Sequence, residues 1–190
     1  VFKQGLASPD PFIRAEAVTG LGSLGREQDL PTLEAALKDP STEVRTAAVR
    51  AMAAVGSADP VGGRAAIEYL ASVMLEADED LRKEAALALA KNRTEGWRIL
   101  KEAVGEEDVL VRRATAFGLA ATGQDWAKPL LLKLEHDDKQ WIVRSAATEA
   151  LASIKSVEEY KLDCSPIVLD QQGWLVEWGA LHNMPVGLGR

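Results

Sequence analysis

Few residues of this 190-residue chain are of types that could do chemistry, and they lie apart in the sequence. Residues 20–25 spell G-x-G-x-x-G, a pattern that binds a dinucleotide phosphate when it follows a strand and opens a helix. Here the pattern closes a helical stretch, so we interpret its glycines as helix-packing and helix-ending residues. Cys164 is the single cysteine, which excludes an internal disulfide and a multi-cysteine zinc site. We interpret it as a spectator thiol.

The other candidates are two histidines and two acidic clusters. His136 and His182 stand alone, with no partners at the spacing of a metal site. The acidic runs at 76–80 and 106–108 fall between predicted helices, where carboxylates more often cap helix N-termini than form acid–base pairs. No part of the sequence brings together a nucleophile, a base and an orienting group. The sequence therefore predicts a protein that is not an enzyme and that has no cofactor and no metal site.

The chain carries 22 basic and 29 acidic residues, a formal net charge of −7. A protein that binds nucleic acid through its phosphates needs a basic face, so this charge argues against a nucleic-acid partner. No apolar run reaches the roughly 18 residues of a membrane-spanning helix, and the chain has no signal-like start. We therefore predict a cytoplasmic protein with no membrane insertion. The apolar content of 47 % is enough to fill a globular core.

An internal repeat organises the helices that would position these residues. Each copy has an aliphatic residue, then an arginine, then an alanine-rich stretch, and successive arginines lie 31, 37, 30 and 32 residues apart. The repeat arginines are Arg14, Arg45, Arg82, Arg112 and Arg144. Counted from each arginine, apolar or small residues recur at −1, +3, +4 and +7, which is one face of a helix. Acidic or serine residues at −6 suit the start of that helix, and glycine at +11 in three copies suits its end.

Each copy therefore predicts a pair of helices, with a shorter first helix before the arginine-bearing second helix. The first helices are expected to begin near 29–31, 59–60, 94–96 and 125–126, where Asp, Thr and Pro give start signals. A pair of about 31 residues cannot bury its own apolar face, but stacked pairs can. The sequence thus predicts an all-α fold, an α/α superhelix (solenoid) of about five helix pairs.

Residues 39–48, with the sequence Asp-Pro-Ser-Thr-Glu-Val-Arg-Thr-Ala-Ala, and their copies resemble the short HEAT-like repeats first named from phycobilisome lyases. The resemblance covers residues 1–155, which we predict to form the repeat array. It implies that an acidic residue at −6 and the repeat arginine form a ladder between successive repeats. The matching pairs are Asp39–Arg45, Glu76–Arg82, Glu106–Arg112 and Asp138–Arg144. Ser8 occupies this position in the first copy and departs from the pattern.

Residues 156–190 differ in composition and are predicted to be a divergent last repeat or a capping segment. Val176 lies 33 residues after the matching valine of the fifth copy, the spacing of a sixth second helix, with Glu177 in place of the arginine. The chain also begins in the middle of a predicted first helix. We therefore expect the array to continue beyond both ends. The alternative is a cap in which Trp174 and Trp178 pack on the last apolar face.

One face of the second helices is the candidate binding surface. Positions −2, +2, +5 and +9 lie opposite the core face at 100° per residue, and the later repeats fill several of them with apolar side chains. We predict that Leu87, Leu110, Phe117 and Ile142 form a partner-binding patch, because an exposed apolar patch often marks an interaction surface. The resemblance implies that second helices line the concave side of the solenoid. The alternative is that these residues pack between neighbouring second helices or under the C-terminal segment.

The leading functional hypothesis is a non-catalytic protein–protein interaction scaffold that binds a protein segment on its concave face. The alternative, which the family resemblance implies, is a bilin lyase-type subunit or chaperone acting on a phycobiliprotein. Iron-binding hydroxylases built on a similar repeat use His-Glu pairs, and neither histidine here forms one, so we expect no metal hydroxylase. A HEAT-like DNA glycosylase would need a basic concave track, which the net charge of −7 does not favour. The expected partner is therefore a protein.

Overall fold

The computed structural model describes the backbone of residues 2–58, 63–163, 168–169 and 175–176, and the side chains of residues 4–57 and 63–154. The helices in these ranges are α1 (Phe2–Gly5), α2 (Pro11–Leu24), α3 (Leu30–Ala36), α4 (Thr42–Ala58), α5 (Gly63–Glu76), α6 (Glu79–Ala90), α7 (Glu95–Ala103), α8 (Val109–Ala121), α9 (Ala127–Asp137) and α10 (Trp141–Asp163). A short 3₁₀ turn, Glu27–Asp29, leads into α3. The prediction of an all-α array is confirmed.

The helices alternate between a first and a second member of each pair. The first helices α1, α3, α5 and α7 each pack on the second helix that follows them. The second helices α2, α4, α6 and α8 pack side by side in chain order. Each pair thus covers the apolar face of its neighbour, as stacked repeats must. The predicted α-solenoid is confirmed.

The core is built from the positions that the repeat predicts. In the second repeat Val44, Ala48, Val49 and Met52 occupy −1, +3, +4 and +7 of α4, and all four are buried. The same positions are buried in α6 and α8. In α8 the residue at +3 is Thr115, whose hydroxyl donates at 2.8 Å to the carbonyl oxygen four residues before it and is thereby satisfied inside the core. Burial of such apolar surface is worth about 25 cal/mol per Å² and holds neighbouring repeats together.

The first helix of the fifth repeat departs from the common register. The position twelve residues before the arginine is buried in the three preceding repeats, as Leu33, Leu70 and Leu100. In the fifth repeat this position is Leu132, which is 44 % exposed, and Leu131 is fully buried instead. One residue turns a helix by about 100°, so a slip of one residue exchanges a core side chain for a solvent-facing one.

Aspartates cap the start of three second helices. The side chains of Asp10, Asp78 and Asp108 accept hydrogen bonds from the backbone N of Phe12 at 2.9 Å, Leu81 at 3.1 Å and Leu110 at 2.8 Å, respectively. These bonds satisfy N–H groups that have no acceptor within the helix. The interpretation of the two acidic clusters as helix caps is confirmed at Asp78 and Asp108.

Two glycines of the G-x-G-x-x-G pattern, Gly22 and Gly25, act in packing and helix termination, as interpreted from the sequence. Gly25 ends α2 in the left-handed conformation, with φ of 64°. Gly22 lies so close to α4 that a Cβ on it would come within 2.5 Å of the Ala51 Cβ. The prediction of a helix end at Gly56 is wrong, because α4 continues through this residue. Its carbonyl oxygen would lie 2.5 Å from a Cβ on Gly63, so the pair allows α4 and α5 to approach closely.

The chain divides into two compact units, Val1–Leu151 and Ala152–Arg190. In the second unit the described residues are the end of α10 and two short antiparallel strands, β1 (Val168–Leu169) and β2 (Leu175–Val176). The predicted sixth second helix is wrong at Val176, which pairs with Val168 in a strand, because two short apolar runs around a glycine favour a hairpin. The residues Cys164, Trp174, Glu177, Trp178 and His182 lie outside the described residues. The boundary between residues 155 and 156 stays a prediction.

Candidate functional site on the second-helix face

The second helices share a set of positions opposite the core, which we call the second-helix face; most of them are exposed or half-buried, and the alanines Ala114 and Ala146 at +2 are buried. It consists of positions −3, −2, +1, +2 and +5, counted from the repeat arginine, on α2, α4, α6, α8 and the start of α10. These positions point away from the buried set because successive residues of a helix are about 100° apart. In the described chain, grooves open at three places between neighbouring helices of this face.

The N-terminal groove lies between α2 and α4 and has a volume of about 590 Å³. Small residues, among them Ala15, Gly22, Ala47 and Ala51, line it and leave it open. Phe12 also lines the groove and is 70 % exposed. The groove therefore combines a lining of small residues with an uncovered aromatic ring.

Two carboxylates, Glu16 of α2 and Glu43 of α4, line the N-terminal groove. The Ser41 hydroxyl donates to Glu43, and this hydrogen bond holds the pKa of the Glu43 carboxyl below its usual value. Arg50 also lines the groove, but its Nε and Nη2 each donate to Glu84 of α6 at 3.1 Å, which raises the pKa of Arg50. The charge of Arg50 is thus engaged by α6, and the groove presents a net negative charge.

The central groove lies between α6 and α8 and is much smaller, about 110 Å³. The Lys83 Nζ lies over the Phe117 ring, 3.9 Å from its centroid. Arg113 forms an ion pair with Glu79. A cation over an aromatic face contributes about 0.5–1 kcal/mol at an exposed site. Two long basic side chains of the chain itself therefore occupy the space between these helices.

The C-terminal groove lies between α8 and the start of α10 and has a volume of about 260 Å³. Its lining includes Arg113, Trp141, Ile142 and Glu149. Trp141 is 68 % exposed, so its ring is largely uncovered by the described chain. An uncovered indole in a groove is typical of an interface anchor.

The four residues predicted for partner binding are all half-buried. Leu110 and Phe117 line the central groove together, whereas Ile142 lines the C-terminal groove. Leu87 lies at +5 of α6 and is not among the lining residues of these three grooves. The structure thus brings two of the four together, and the partner-binding role of the set stays a prediction.

Sequence reasoning missed the two most exposed large apolar side chains of the described residues, Phe12 and Trp141. Phe12 occupies position −2, which the helical period does place opposite the core, and Trp141 occupies −3. Both lie in the first turn of a second helix. An aromatic residue in the first turn of a second helix was the sequence signal that could have identified both side chains. The later turns of that helix do not cover a side chain in its first turn.

The repeat arginines form a ladder between successive repeats, but their carboxylate partners differ from those expected. The pairs are Arg14–Asp39 at 2.8 Å, Arg45–Asp78 at 3.4 Å, Arg82–Asp108 at 2.7 Å and Arg112–Asp138 at 2.6 Å. Each arginine thus reaches the carboxylate of the next repeat. A ladder between successive repeats was predicted, and Asp39 and Asp138 at −6 do take part in it. The predicted pairs Asp39–Arg45, Glu76–Arg82, Glu106–Arg112 and Asp138–Arg144 are wrong.

In four repeats the residue at −6 accepts a hydrogen bond from its own arginine through its backbone carbonyl, and in the third repeat Arg82 uses the carbonyl at −5 instead. The Arg112 Nη1 donates to the Glu106 carbonyl oxygen at 2.8 Å, and the Arg14 Nη1 donates to the Ser8 carbonyl oxygen at 2.9 Å. A carbonyl group is present whatever the side chain, so the departure at Ser8 leaves the first rung intact. Each of the first four repeat arginines thereby joins its own helix start to the next repeat.

Two rungs of the ladder lower the pKa of their carboxyls, those of Asp39 and Asp138. The hydrogen bond from Arg112 is the largest of the effects that hold the pKa of Asp138 below its usual value. The hydrogen bond from Arg14 does the same for Asp39. These carboxylates and guanidinium groups are spent on joining repeats, and we do not assign them to a binding site.

Neither a metal centre nor a membrane span is visible in the described part of the chain. Those residues contain no group of three or more His, Cys, Asp or Glu side chains placed to hold a metal ion. Every helix in the same ranges is too short or too polar to cross a bilayer. His136 lies 3.7 Å from Glu135 through its Nε2 and is mostly exposed.

Comparison with known proteins places the repeats in a family. The family described as HEAT repeats matches residues 1–90 and 97–163, which confirms the resemblance seen in the sequence. Two curated relatives, deoxyhypusine hydroxylase of Drosophila melanogaster and deoxyhypusine hydroxylase-B of Oryza sativa subsp. japonica, are each 27 % identical to the chain. The alignments cover 76 % and 83 % of this chain, but 55 % and 63 % of the relatives. The chain therefore spans less than two thirds of the length of the curated relatives it matches.

Among solved structures, the complex of CpcE and CpcF of phycocyanin lyase from Nostoc sp. is similar in fold. The TM-score is 0.48 at 24 % identity, with 84 % of this chain and 65 % of that chain covered.

The relatives correct one prediction made from the sequence. The prediction that the chain is not an enzyme is wrong, because both curated relatives carry the name of an enzyme, a hydroxylase. The prediction took the lack of a local motif as a lack of activity. The chain covers only 55 % and 63 % of these relatives, so the lack of a local motif in it does not exclude activity.

Proposed function

Because the chain belongs to the HEAT-repeat family, we propose that its second-helix face binds an extended segment of a partner protein. The segment runs across α2, α4, α6 and α8 and contacts residues of successive grooves. The observation that carries this proposal is the presence of exposed aromatic side chains in the outer two grooves, Phe12 at one end and Trp141 at the other.

The position of these rings supports binding because each is exposed in a groove, where an aromatic ring can anchor a partner. Stacked repeats present long surfaces that extended ligands can follow. Aromatic anchors seated in grooves supply a large share of the binding energy of an interface. Leu110 and Phe117 of the central groove lie between the two anchors in repeat order and add apolar surface.

Partner segments selected from a peptide-display library test this proposal. We expect Trp141→Ala to lower the affinity for a selected segment by about 30-fold, since truncation of an aromatic hot spot typically costs about 2 kcal/mol or more of binding free energy. The matched control is Leu75→Ala, which removes an exposed apolar side chain from α5, a first helix. Equal affinity of wild type, Trp141→Ala and Leu75→Ala for every selected segment would contradict the proposal.

A second candidate function is a part in a hydroxylase reaction, which the names of the two curated relatives favour. The metal site expected of an iron-binding hydroxylase does not fit the described residues, which hold no metal-binding group. We therefore assign no catalytic step to these repeats. Under this candidate their second-helix face holds the protein that carries the reacting side chain.

A turnover assay separates the two candidates. The chain is incubated with Fe(II), molecular oxygen, a reductant and a protein containing deoxyhypusine, and the hydroxylated product is measured by mass spectrometry. Product formation would establish the second candidate. Binding of that protein without product would support segment binding by the second-helix face alone.

The bilin lyase-type alternative makes a distinct spectroscopic prediction. A linear tetrapyrrole held in one of the grooves would co-elute with the chain in gel filtration and absorb visible light. Separation of all the pigment from the protein would remove this alternative.

A further inference from the structure

Equivalent positions of the second-helix face carry different side chains in the N-terminal and central grooves. Position +1 is Lys83 in the third repeat and Arg113 in the fourth, but Ala15 in the first and Thr46 in the second. The central groove, with the two long cations, has a volume of about 110 Å³. The N-terminal groove, with the short side chains, has a volume of about 590 Å³.

The central groove shows which groups this face uses to hold a cation. Lys83 lies over the Phe117 ring, and Arg113 pairs with the Glu79 carboxylate. Both contacts join α6 to α8. The fold thus already contains one such arrangement: cationic side chains lie between two helices whose walls supply an aromatic face and a carboxylate.

The N-terminal groove has the same wall chemistry without the cations at +1. Phe12 supplies an exposed aromatic ring, and Glu16 and Glu43 supply carboxylates from the two helices. Arg50, the basic residue of the lining, is held by Glu84 of the neighbouring helix.

We propose that the N-terminal groove binds a lysine or arginine side chain of the partner segment, in the place that Lys83 and Arg113 take in the central groove. The inference rests on the proposed function and names the chemistry of the segment. The aliphatic stem of the bound side chain packs on the small residues of the lining, and its charged head meets Glu16 and Glu43. Phe12 covers the stem or the cation with its ring.

Charge complementarity selects a basic segment over other occupants. In the described face, Arg50 and Arg113 pair with Glu84 and Glu79. The remaining charged residues among the groove linings are Glu16, Glu43, Asp80, Lys83 and Glu149, four acids and one base. A neutral or acidic segment would remove water from these carboxylates without supplying a positive charge to pair with them. A second copy of the chain, with its net charge of −7, would be repelled.

The first experiment compares three synthetic peptides on the ¹⁵N-labelled 190-residue chain by NMR titration. Each peptide alternates alanine with lysine, glutamine or glutamate over the same length. We expect the lysine peptide alone to bind, with shifts in resonances of residues 12–23 and 42–54. Its affinity should fall as salt is raised, because the contacts are between partly exposed charges.

Charge-neutral variants locate the contact. The double variant Glu16→Gln, Glu43→Gln should lower the affinity for the lysine peptide about tenfold, since two partly exposed ion pairs together contribute binding free energy of that order. The matched control Glu76→Gln, Glu107→Gln removes the same charge from exposed residues off the second-helix face and should leave the affinity unchanged.

A filling variant tests the comparison between grooves directly. Ala15→Lys with Thr46→Arg places long basic side chains at the +1 positions of the N-terminal groove, as the third and fourth repeats have. We expect an unchanged melting temperature, because both sites are only half-buried, and loss of lysine-peptide binding, because the chain then occupies its own groove.

The outcomes separate this inference from the proposed function. Equal binding of the glutamine peptide, equal weakening by the control variant, or shifts confined to α8 and α10 would each overturn the basic-segment inference while a segment still binds the face. Absence of shifts with all three peptides would also overturn it. In that case the display selection and Trp141→Ala decide the proposed function independently.

Discussion

The rung between the fourth and fifth repeats is far more buried than the rung between the second and third. Arg112 donates to Asp138 through Nε at 2.6 Å and Nη2 at 3.1 Å, and the Asp138 side chain is 5 % exposed. Arg45 donates to Asp78 through Nη2 at 3.4 Å, and the Asp78 side chain is 52 % exposed. The same arginine position thus makes a two-bond pair in one region and a long, solvated contact in another.

The position of the acceptor explains this difference. Asp138 lies at −6 and also accepts from the Gln140 backbone N at 2.9 Å, a short turn that holds the carboxylate under the arginine. Asp39, at −6 of the second repeat, makes the same bond to Ser41 at 2.9 Å. In the third and fourth repeats the residue at −6 is a glutamate. The preceding repeat's arginine is then accepted by the aspartate at −4, which caps the helix and is more exposed than Asp39 or Asp138.

The comparison teaches that aspartate at −6, and not acidity as such, makes a buried rung. Glutamate is one methylene longer, so it cannot close the same tight turn onto the backbone. The ladder then passes to a capping aspartate whose carboxylate faces water, where an ion pair contributes little.

The largest expected effect is the loss of the buried rung. Arg112→Ala leaves Asp138 buried without its guanidinium and also removes the bonds to the carbonyls at −6 and −5. We expect a destabilisation of about 3 kcal/mol, against about 1 kcal/mol for Arg45→Ala, because removal of one partner is costly only when the other is desolvated. Urea unfolding of both variants measures the difference. Equal losses would show that burial of the acceptor does not govern the ladder.

A smaller effect is expected from lengthening the buried acceptor. Asp138→Glu keeps the charge but breaks the turn to Gln140, so one or two hydrogen bonds are lost, worth about 1–2 kcal/mol. The matched change Glu106→Asp, at −6 of the fourth repeat, should have no destabilising effect, because Arg112 uses only the carbonyl of that residue. If Asp138→Glu left the free energy of unfolding unchanged, that result would refute the role of the turn.

Acid should remove the stability that the buried rungs contribute. The pKa values of Asp39 and Asp138 are lowered in the folded chain, chiefly by the hydrogen bonds from Arg14 and Arg112. The unfolded chain therefore binds more protons, and this stability is present above the unfolded pKa of about 3.9 and lost as pH falls through the folded value. Asp138→Asn should unfold with a smaller dependence on pH below about pH 4. An unchanged pH profile would contradict this assignment.

The sequence predicts the parts of the fold that depend on local periodicity. Val44 and Ala48 are buried where the helical period places them, and the arginine of each of the first four copies links its repeat to the next. The acceptors were not predicted, because whether a carboxylate at −6 or −4 meets the next arginine depends on how two repeats stack. Leu132 shows the same limit, since the period alone places it in the core and a slip of one residue exposes it.

The candidate site was predictable only in part for a related reason. Phe117 and Leu110 could be placed on the second-helix face from their spacing. The N-terminal groove is open because Ala15 and Thr46 have short, uncharged side chains where Lys83 and Arg113 have long, basic ones. A small residue gives no signal by itself, and its effect emerges only when equivalent positions of two repeats are compared in space.

The smallest expected effect concerns the exposed rung. Asp78 has two roles, as acceptor for Arg45 at 3.4 Å and as cap for the Leu81 backbone N at 3.1 Å. Asp78→Asn keeps an oxygen for the cap and removes the charge, so we expect a loss below about 0.5 kcal/mol that disappears in 1 M salt. Asp78→Ala removes the cap as well and should cost about 1 kcal/mol at any salt concentration. Urea unfolding in low and in high salt compares the two variants. If the loss of stability for Asp78→Asn were independent of salt, the Arg45–Asp78 pair would be shielded from solvent like the Arg112–Asp138 pair, which contradicts the exposed geometry.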